Sequence, residues 1–253
     1  MTAKFKLILR HIYVIFCLSL FIVQAHAAVT TLPSSFAAVE GNAGEITSLG
    51  AASNTAQVVY GESLLIAADI QVGDQITGLA FRANEGDPAP VWSVADYQIR
   101  LATSLNPPGS LDPDFIANRG GDYVVVRSGP LTYTGTEYPT DGSPNTFGPV
   151  IRFNSSFTYN GGDLLLEYTH STIESGGSVG DGDTTIDLAQ SQFSEGFDTT
   201  TGAFGGCCDN FAPIIQLETV KKAPATPVPT LPLFGLGILV SLLGLSGVRK
   251  LRQ

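Results

Sequence analysis

Between residues 28 and 220 the chain sustains no helical period for longer than about two turns. It repeatedly alternates apolar and polar residues over short runs instead. Tyr97, Ile99 and Leu101 alternate with Gln98 and Arg100, the pattern of a strand with one buried and one wet face. Leu64, Ile66, Ala68 and Ile70 alternate in the same way and are expected to form a strand. Ile76, Leu79 and Phe81 follow the turn signal Val72-Gly73-Asp74, and residues 122–127, 150–153, 156–159, 164–168 and 213–220 complete the expected set. Gly, Asn, Asp and Pro clusters such as Asn84-Glu85-Gly86-Asp87-Pro88 separate these runs. The clearest hairpin signal is residues 156–167, two strand-like runs around Asn160-Gly161-Gly162-Asp163. Many short strands, frequent turns and no intervening helices point to an all-β domain over residues 28–220. The expected architecture is an antiparallel β-sandwich of jelly-roll or lectin-like type.

Charge narrows what such a domain meets. Residues 28–220 contain no lysine and five arginines, Arg82, Arg100, Arg119, Arg127 and Arg152, against all 23 acidic residues of the chain, a formal charge of −18. A surface of that sign repels phosphate backbones and anionic lipid, which argues against nucleic-acid binding. It fits a hydrated exterior environment.

The remaining basic residues mark the two ends. Lys4, Lys6 and Arg10 precede an apolar core at residues 12–23, and Ala25-His26-Ala27 then offers small residues at the positions a leader peptidase reads. Residues 1–27 are therefore expected to be a signal peptide, with Ala28 the first mature residue; an uncleaved anchor is the alternative. Cys17 lacks the small residues that precede a lipidated cysteine. At the other end, residues 221–230 form a Pro-rich linker that cannot continue a sheet. Residues 231–248 carry no charge and form a transmembrane helix candidate. Arg249, Lys250 and Arg252 in the tail 249–253 would hold that end in the cytoplasm.

The order of Pro-rich spacer, short apolar helix and basic last residues resembles the PEP-CTERM class of sorting signals. The nearest variant reads Ile-Pro-Thr-Leu, two variable residues, then Trp-Gly. Here Val228-Pro229-Thr230-Leu231 is followed by Pro232-Leu233 and Phe234-Gly235, with Val for Ile and Phe for Trp. The resemblance implies an exosortase-type membrane protease as partner, processing near residues 228–231, and transfer from the membrane to the cell envelope or extracellular matrix. A plain single-pass anchor is the alternative. Residues 156–167 together with 76–82 also resemble β-sandwich domains of uncharacterised PEP-CTERM proteins, a likeness that brings no activity with it.

Candidate chemistry in the body is sparse. His170 is the single histidine of the expected mature chain and is expected at the surface end of a strand. One histidine cannot form a multi-His metal site, and no Gly-x-Ser-x-Gly elbow accompanies it. Cys207 and Cys208 are adjacent; they form either a strained vicinal disulfide, the favoured reading, or free or intermolecular thiols. Asp181, Asp183 and Asp187 lie in a Gly-rich stretch whose oxygens suit calcium, but the spacing is not that of an EF-hand and an ordinary acidic loop is the better reading. No other cofactor is expected. Glu167 and Glu174 are among the acids that a glycosidase pairing would draw on. Trp92, Tyr97 and Tyr123 offer either a sugar-stacking platform or core filling. Asn154-Ser155-Ser156 matches a glycosylation acceptor.

These features favour a non-catalytic envelope or matrix protein acting by adhesion or structure. A carbohydrate-binding module that takes exopolysaccharide or another glycan is the alternative. A secreted hydrolase ranks third, because no catalytic constellation is visible.

Overall fold

The structure, a computed structural model, describes residues 27–41, 43–45, 54–86, 91–170, 186–190, 194–199 and 211–223. Met1–Lys222 forms one compact unit and Ala223–Gln253 a second. The expected apolar leader, the sorting motif, the membrane segment and the basic tail lie outside the described residues. Among those described, no helix is long and apolar enough to cross a membrane.

Strands dominate. In chain order they are β1 (Ala27–Leu32), β2 (Ala43–Glu45), β3 (Asn54–Tyr60), β4 (Gln75–Phe81), β5 (Val91–Val94), β6 (Tyr97–Thr103) and β7 (Val124–Arg127). There follow β8 (Leu131–Thr134), β9 (Ile151–Thr158), β10 (Leu164–His170), β11 (Ile186–Gln190), β12 (Ser194–Thr199), β13 (Phe211–Pro213) and β14 (Ile215–Val220). Every pairing among them is antiparallel. One sheet has the order β1-β14-β4-β9 and a second the order β12-β3-β10-β6-β7. Two smaller sheets, β13-β11-β2 and β5-β8, complete the set. The all-β expectation therefore holds.

The two large sheets share one core. Leu32, Ile76, Leu79, Phe81, Phe157, Ile215 and Leu217 come from the first, and Val58, Tyr60, Ile99, Leu101, Leu164, Leu166 and Tyr168 from the second. Phe81 meets Tyr168 edge to face at 6.4 Å between centroids, an aromatic contact between the two sheets. The alternation read at Tyr97, Ile99 and Leu101 is the alternation found, all three buried in this core.

Three local expectations are corrected. Residues 64–70 do not form a strand: Glu62–Ala67 is a short helix, α1. Its end explains the choice. Asp69 takes a left-handed φ of 58°, its amide donates to Ile66 O at 3.0 Å, and Ile70 N donates to Leu65 O at 2.8 Å. That is a Schellman closure, with Leu65 and Ile70 both buried as its apolar contact. Ile66, which the strand reading would bury with Ile70, is 66% exposed.

The second correction concerns the hairpin. β9 and β10 do not pair; β9 adds to β4, whereas β10 lies between β3 and β6. Gly161 and Gly162, at φ +95° and +79°, turn the chain from one sheet into the other. Tyr159 N donates to Asp74 O at 2.9 Å and Gly73 N to Tyr159 O at 2.8 Å, fastening this crossover to the loop after α1. Third, the two runs expected at 150–153 and 156–159 are joined in one strand, β9, spanning Ile151–Thr158, while Ile214 separates β13 from β14 in the segment expected as a single strand.

Both ends of the body meet at one corner. Ala27 lies opposite Val220 at the end of the β1–β14 ladder. Just beyond, Asp74 accepts from Lys222 N at 2.8 Å, from Gln71 N at 3.0 Å and from Lys221 Nζ at 3.2 Å. Lys221 Nζ also donates to Asp69 O. The chain thus leaves the body from a fixed point.

Candidate functional site

β10 reads Leu164-Leu165-Leu166-Glu167-Tyr168-Thr169-His170, and its period of two sends alternate residues to opposite faces. Leu164, Leu166 and Tyr168 enter the core, and Leu165, Glu167 and Thr169 occupy the other face of the sheet. Directly across from Glu167 stand Gln57 on β3 and Arg100 on β6. A carboxylate inside a leucine-rich strand demands compensation, and these cross-strand neighbours begin to supply it.

The connection between β6 and β7, residues 104–123, completes the site by folding over this face as a strap. Leu111 and Phe115 cover Val59, Ala102 and Leu165 in a second, smaller apolar cluster, with Tyr123 packed against it. A 3-10 turn at Phe115–Asn118, capped by Asp114 accepting from Ile116 N, aims the strap's polar groups at the sheet. Asn118 Nδ2 donates to Gln57 Oε1 at 2.9 Å, and Gln57 Nε2 donates to Phe115 O at 2.9 Å and to Glu167 Oε2 at 2.7 Å. Arg119 grips Glu167 with both arms, Nε to Oε2 at 2.8 Å and Nη2 to Oε1 at 2.9 Å. Tyr123 donates its hydroxyl to Oε1 at 2.6 Å, and the Arg119 guanidinium lies 4.5 Å over the Tyr123 ring. Arg100 Nη1 stands 3.5 Å from Oε1 and donates to Thr169 Oγ1 at 3.1 Å.

Glu167 is 1% exposed, and four hydrogen bonds fill its acceptor positions. Burial, followed by the hydrogen bond to Glu167 and its negative charge, pushes the Tyr123 hydroxyl far above its ordinary value of 10.0, so it remains a donor across the physiological range. The bidentate arginine geometry is the strong form of this interaction. The cluster acts as a fastener that joins strap to sheet. Beyond the strap, on the same face, Thr55, Gln98, Arg100 and Thr169 form a half-buried polar row. Thr55 and Thr169 share a hydroxyl contact at 3.1 Å, and Arg100 donates to Gln98 Oε1.

The other residues singled out in the sequence fall elsewhere. His170 is not a surface residue: it is 1% exposed, stacked on buried Tyr97 at 6.1 Å with 7° between the rings. The period of β10 places it on the core side, where a strand end is still covered. Tyr97 belongs to the core and offers no platform to solvent. The backbone of Trp92 lies in β5, opposite Tyr133. Asn154 and Ser156 are exposed on β9, and Asn154 Oδ1 accepts from Ser128 N at 2.9 Å. Ala27 and Ala28 begin β1. Asp187 lies in β11 opposite Gly44, within a strand instead of the loop expected there. Ala25, Glu174, Asp181, Asp183, Cys207, Cys208, Val228, Pro229, Thr230, Leu231, Phe234 and Gly235 lie outside the described residues. Among the described residues no three His, Cys, Asp or Glu converge as a metal site.

No protein-family model matches the chain, and no curated protein matches it. A solved structure that does match contains the cysteine protease and lectin-like domains of Cwp84, a surface layer associated protein of Clostridium difficile. It is 10% identical with a TM-score of 0.34, over 67% of this chain and 32% of that one. The chain spans about a third of that structure's length, and so slight a likeness carries neither a site nor an activity across.

Proposed function

We propose that this chain is an exported, non-catalytic component of the cell envelope or extracellular matrix. On this reading it is directed outward by a leader ending at Ala27 and sorted by the PEP-CTERM-like segment at residues 228–235. The placement of the five body arginines carries the proposal. Arg82 is fully buried and donates to Phe36 O at 3.0 Å and Val39 O at 2.9 Å. Arg100 and Arg119 are engaged with Glu167, and Arg127 donates to the carbonyls of Tyr97, Gly129 and Pro130. Arg152 is mainly exposed, and it pairs with Glu218 at 2.7 Å. All five arginines are thus engaged with the body's own groups, Arg82, Arg119 and Arg127 holding loop segments, which leaves an acidic exterior suited to a hydrated matrix. The burial of His170 and the saturation of Glu167 also favour a non-catalytic role.

The body reads further as a jelly roll of lectin-like kind. Taking β1, β3, β4, β6, β7, β9, β10 and β14 as strands one to eight, the large sheets run 1-8-3-6 and 2-7-4-5, the order of two interleaved Greek keys, with β12 added beside β3. The polar row of Thr55, Gln98, Arg100 and Thr169 favours a second reading, a glycan-binding module. Separating cells into cytoplasm, membrane, matrix and medium tests the first reading, which expects the mature chain in envelope or matrix and is contradicted by a cytoplasmic pool alone. A glycan array with the purified protein, with and without calcium, tests the second; absence of saturable binding excludes it.

A further inference from the structure

We propose that the polar row beside the strap binds a neutral, unbranched glycan laid across the strands. The proposal rests on the glycan-binding reading above and names its site and ligand class. On the face of the larger sheet away from the main core, Thr55 of β3 stands opposite Thr169 of β10, which stands opposite Gln98 of β6. The register continues one strand further, with Thr199 of β12 opposite Thr55. The next positions on the same face, Gln57, Glu167 and Arg100, lie at the foot of the strap, which therefore walls one side of the row. Val125, opposite Arg100 and 45% exposed, offers an apolar surface at the β7 end.

The hydrogen bonds within the row leave donors unspent. Arg100 Nη1 donates to Thr169 Oγ1 at 3.1 Å, and the Thr55 and Thr169 hydroxyls share one bond at 3.1 Å. Two hydroxyl protons meet one shared bond, so one O–H is left for a ligand. Gln98 is oriented from both ends: its Oε1 accepts from Arg100 and its Nε2 gives one proton to Asp96, which leaves its second N–H. Sugar hydroxyl and ring oxygens are the complementary acceptors. Adjacent strands lie about 4.8 Å apart, close to the advance of one ring in an extended β-linked pyranose chain. A glycan running along the strap therefore meets about one polar side chain per ring. Charge sets the ligand class. Glu167 and Asp96 balance Arg100 at the row, and the body carries a formal −18, which disfavours a polyuronate. A protein partner would need a larger apolar anchor than Val125.

The test is titration calorimetry of the purified full chain in a sugar-free detergent. The probes are β-1,4-linked hexamers of glucose, mannose and xylose, their dimers, and a galacturonate hexamer. At least one neutral hexamer is expected to bind, more tightly than its dimer, which reaches fewer strands, and more tightly than the acidic hexamer. Gln98→Ala and Thr169→Val are each expected to weaken that binding about tenfold, the cost of about one good hydrogen bond. Thr55→Val, at a residue that makes no bond to the strap, repeats the test if Thr169→Val lowers the urea midpoint. Neutral binding that none of these changes weakens overturns the site and leaves the glycan reading intact. Binding of the galacturonate hexamer alone overturns the ligand class. No binding of any neutral hexamer at about 1 mM overturns the inference. A glycan array that is also blank overturns the glycan reading itself.

Discussion

Replacing Glu167 with glutamine tests the claim that the buried cluster is a structural fastener. The change preserves shape but removes the charge that two guanidiniums share. The new amide keeps one acceptor oxygen, and its NH2 group must face donors on Arg119, Gln57 or Tyr123. Removing one partner of a buried ion pair costs about 3–5 kcal/mol. Here the arginine side chains are 18% and 26% exposed and regain part of their hydration, which lowers the expected loss to about 2–4 kcal/mol. With a urea slope of about 2 kcal/mol/M, the unfolding midpoint should fall by about 1–2 M. Hydrogen exchange should localise the damage, speeding at residues 112–119 of the strap before it spreads to β10. A midpoint shift below about 0.3 M would refute the reasoning, since the cluster would then contribute no more than an exposed pair.

Two further substitutions probe other joints. Burial pushes the Asp74 carboxyl up, and hydrogen bonds from the Lys222 and Gln71 amides and the Lys221 ammonium together outweigh it, so it sits below its ordinary 3.8. A depressed carboxylate contributes stability above its unfolded value and loses it as pH falls through the folded one. The melting temperature should therefore drop below about pH 4, and Asp74→Asn, weaker by about 1–2 kcal/mol at pH 7, should flatten that part of the profile. Asp96 and Asp122 are lowered too and steepen the same acid limb. Gly148→Ala sets a methyl group against the buried Tyr138 ring, which packs edge to face on Tyr133 at 5.0 Å. A loss of about 1–3 kcal/mol in urea unfolding is expected, and an unchanged midpoint would show that the ring moves aside freely.

The strands were legible where apolar and polar residues alternate, as at Tyr97–Thr103 with Gln98 and Arg100 on the half-buried face away from the main core. Alternation misled at residues 64–70, because any short apolar run satisfies two periods and only the closure at Asp69 selects the helix. The Gly161-Gly162 turn was visible, but a turn signal does not say whether the strands it joins will pair, and here they enter different sheets. The Glu167 cluster is the product of contacts distant in sequence: Gln57, Arg100, Arg119 and Tyr123 converge only when the strap closes. One local sign existed, a glutamate after Leu164-Leu165-Leu166, since a charge in such a run must find a partner among the few arginines available. His170 shows the converse, a polar residue drawn into the core by the period of its strand and met there by the Tyr97 ring.

Whether this exterior protein is trimmed at both ends is decided by intact-mass and terminal-peptide mass spectrometry of the mature protein from its native host. An amino terminus at Ala28 and a carboxyl terminus close to residues 228–231 are expected. Molecules that all retain Met1 and Gln253 would contradict that expectation.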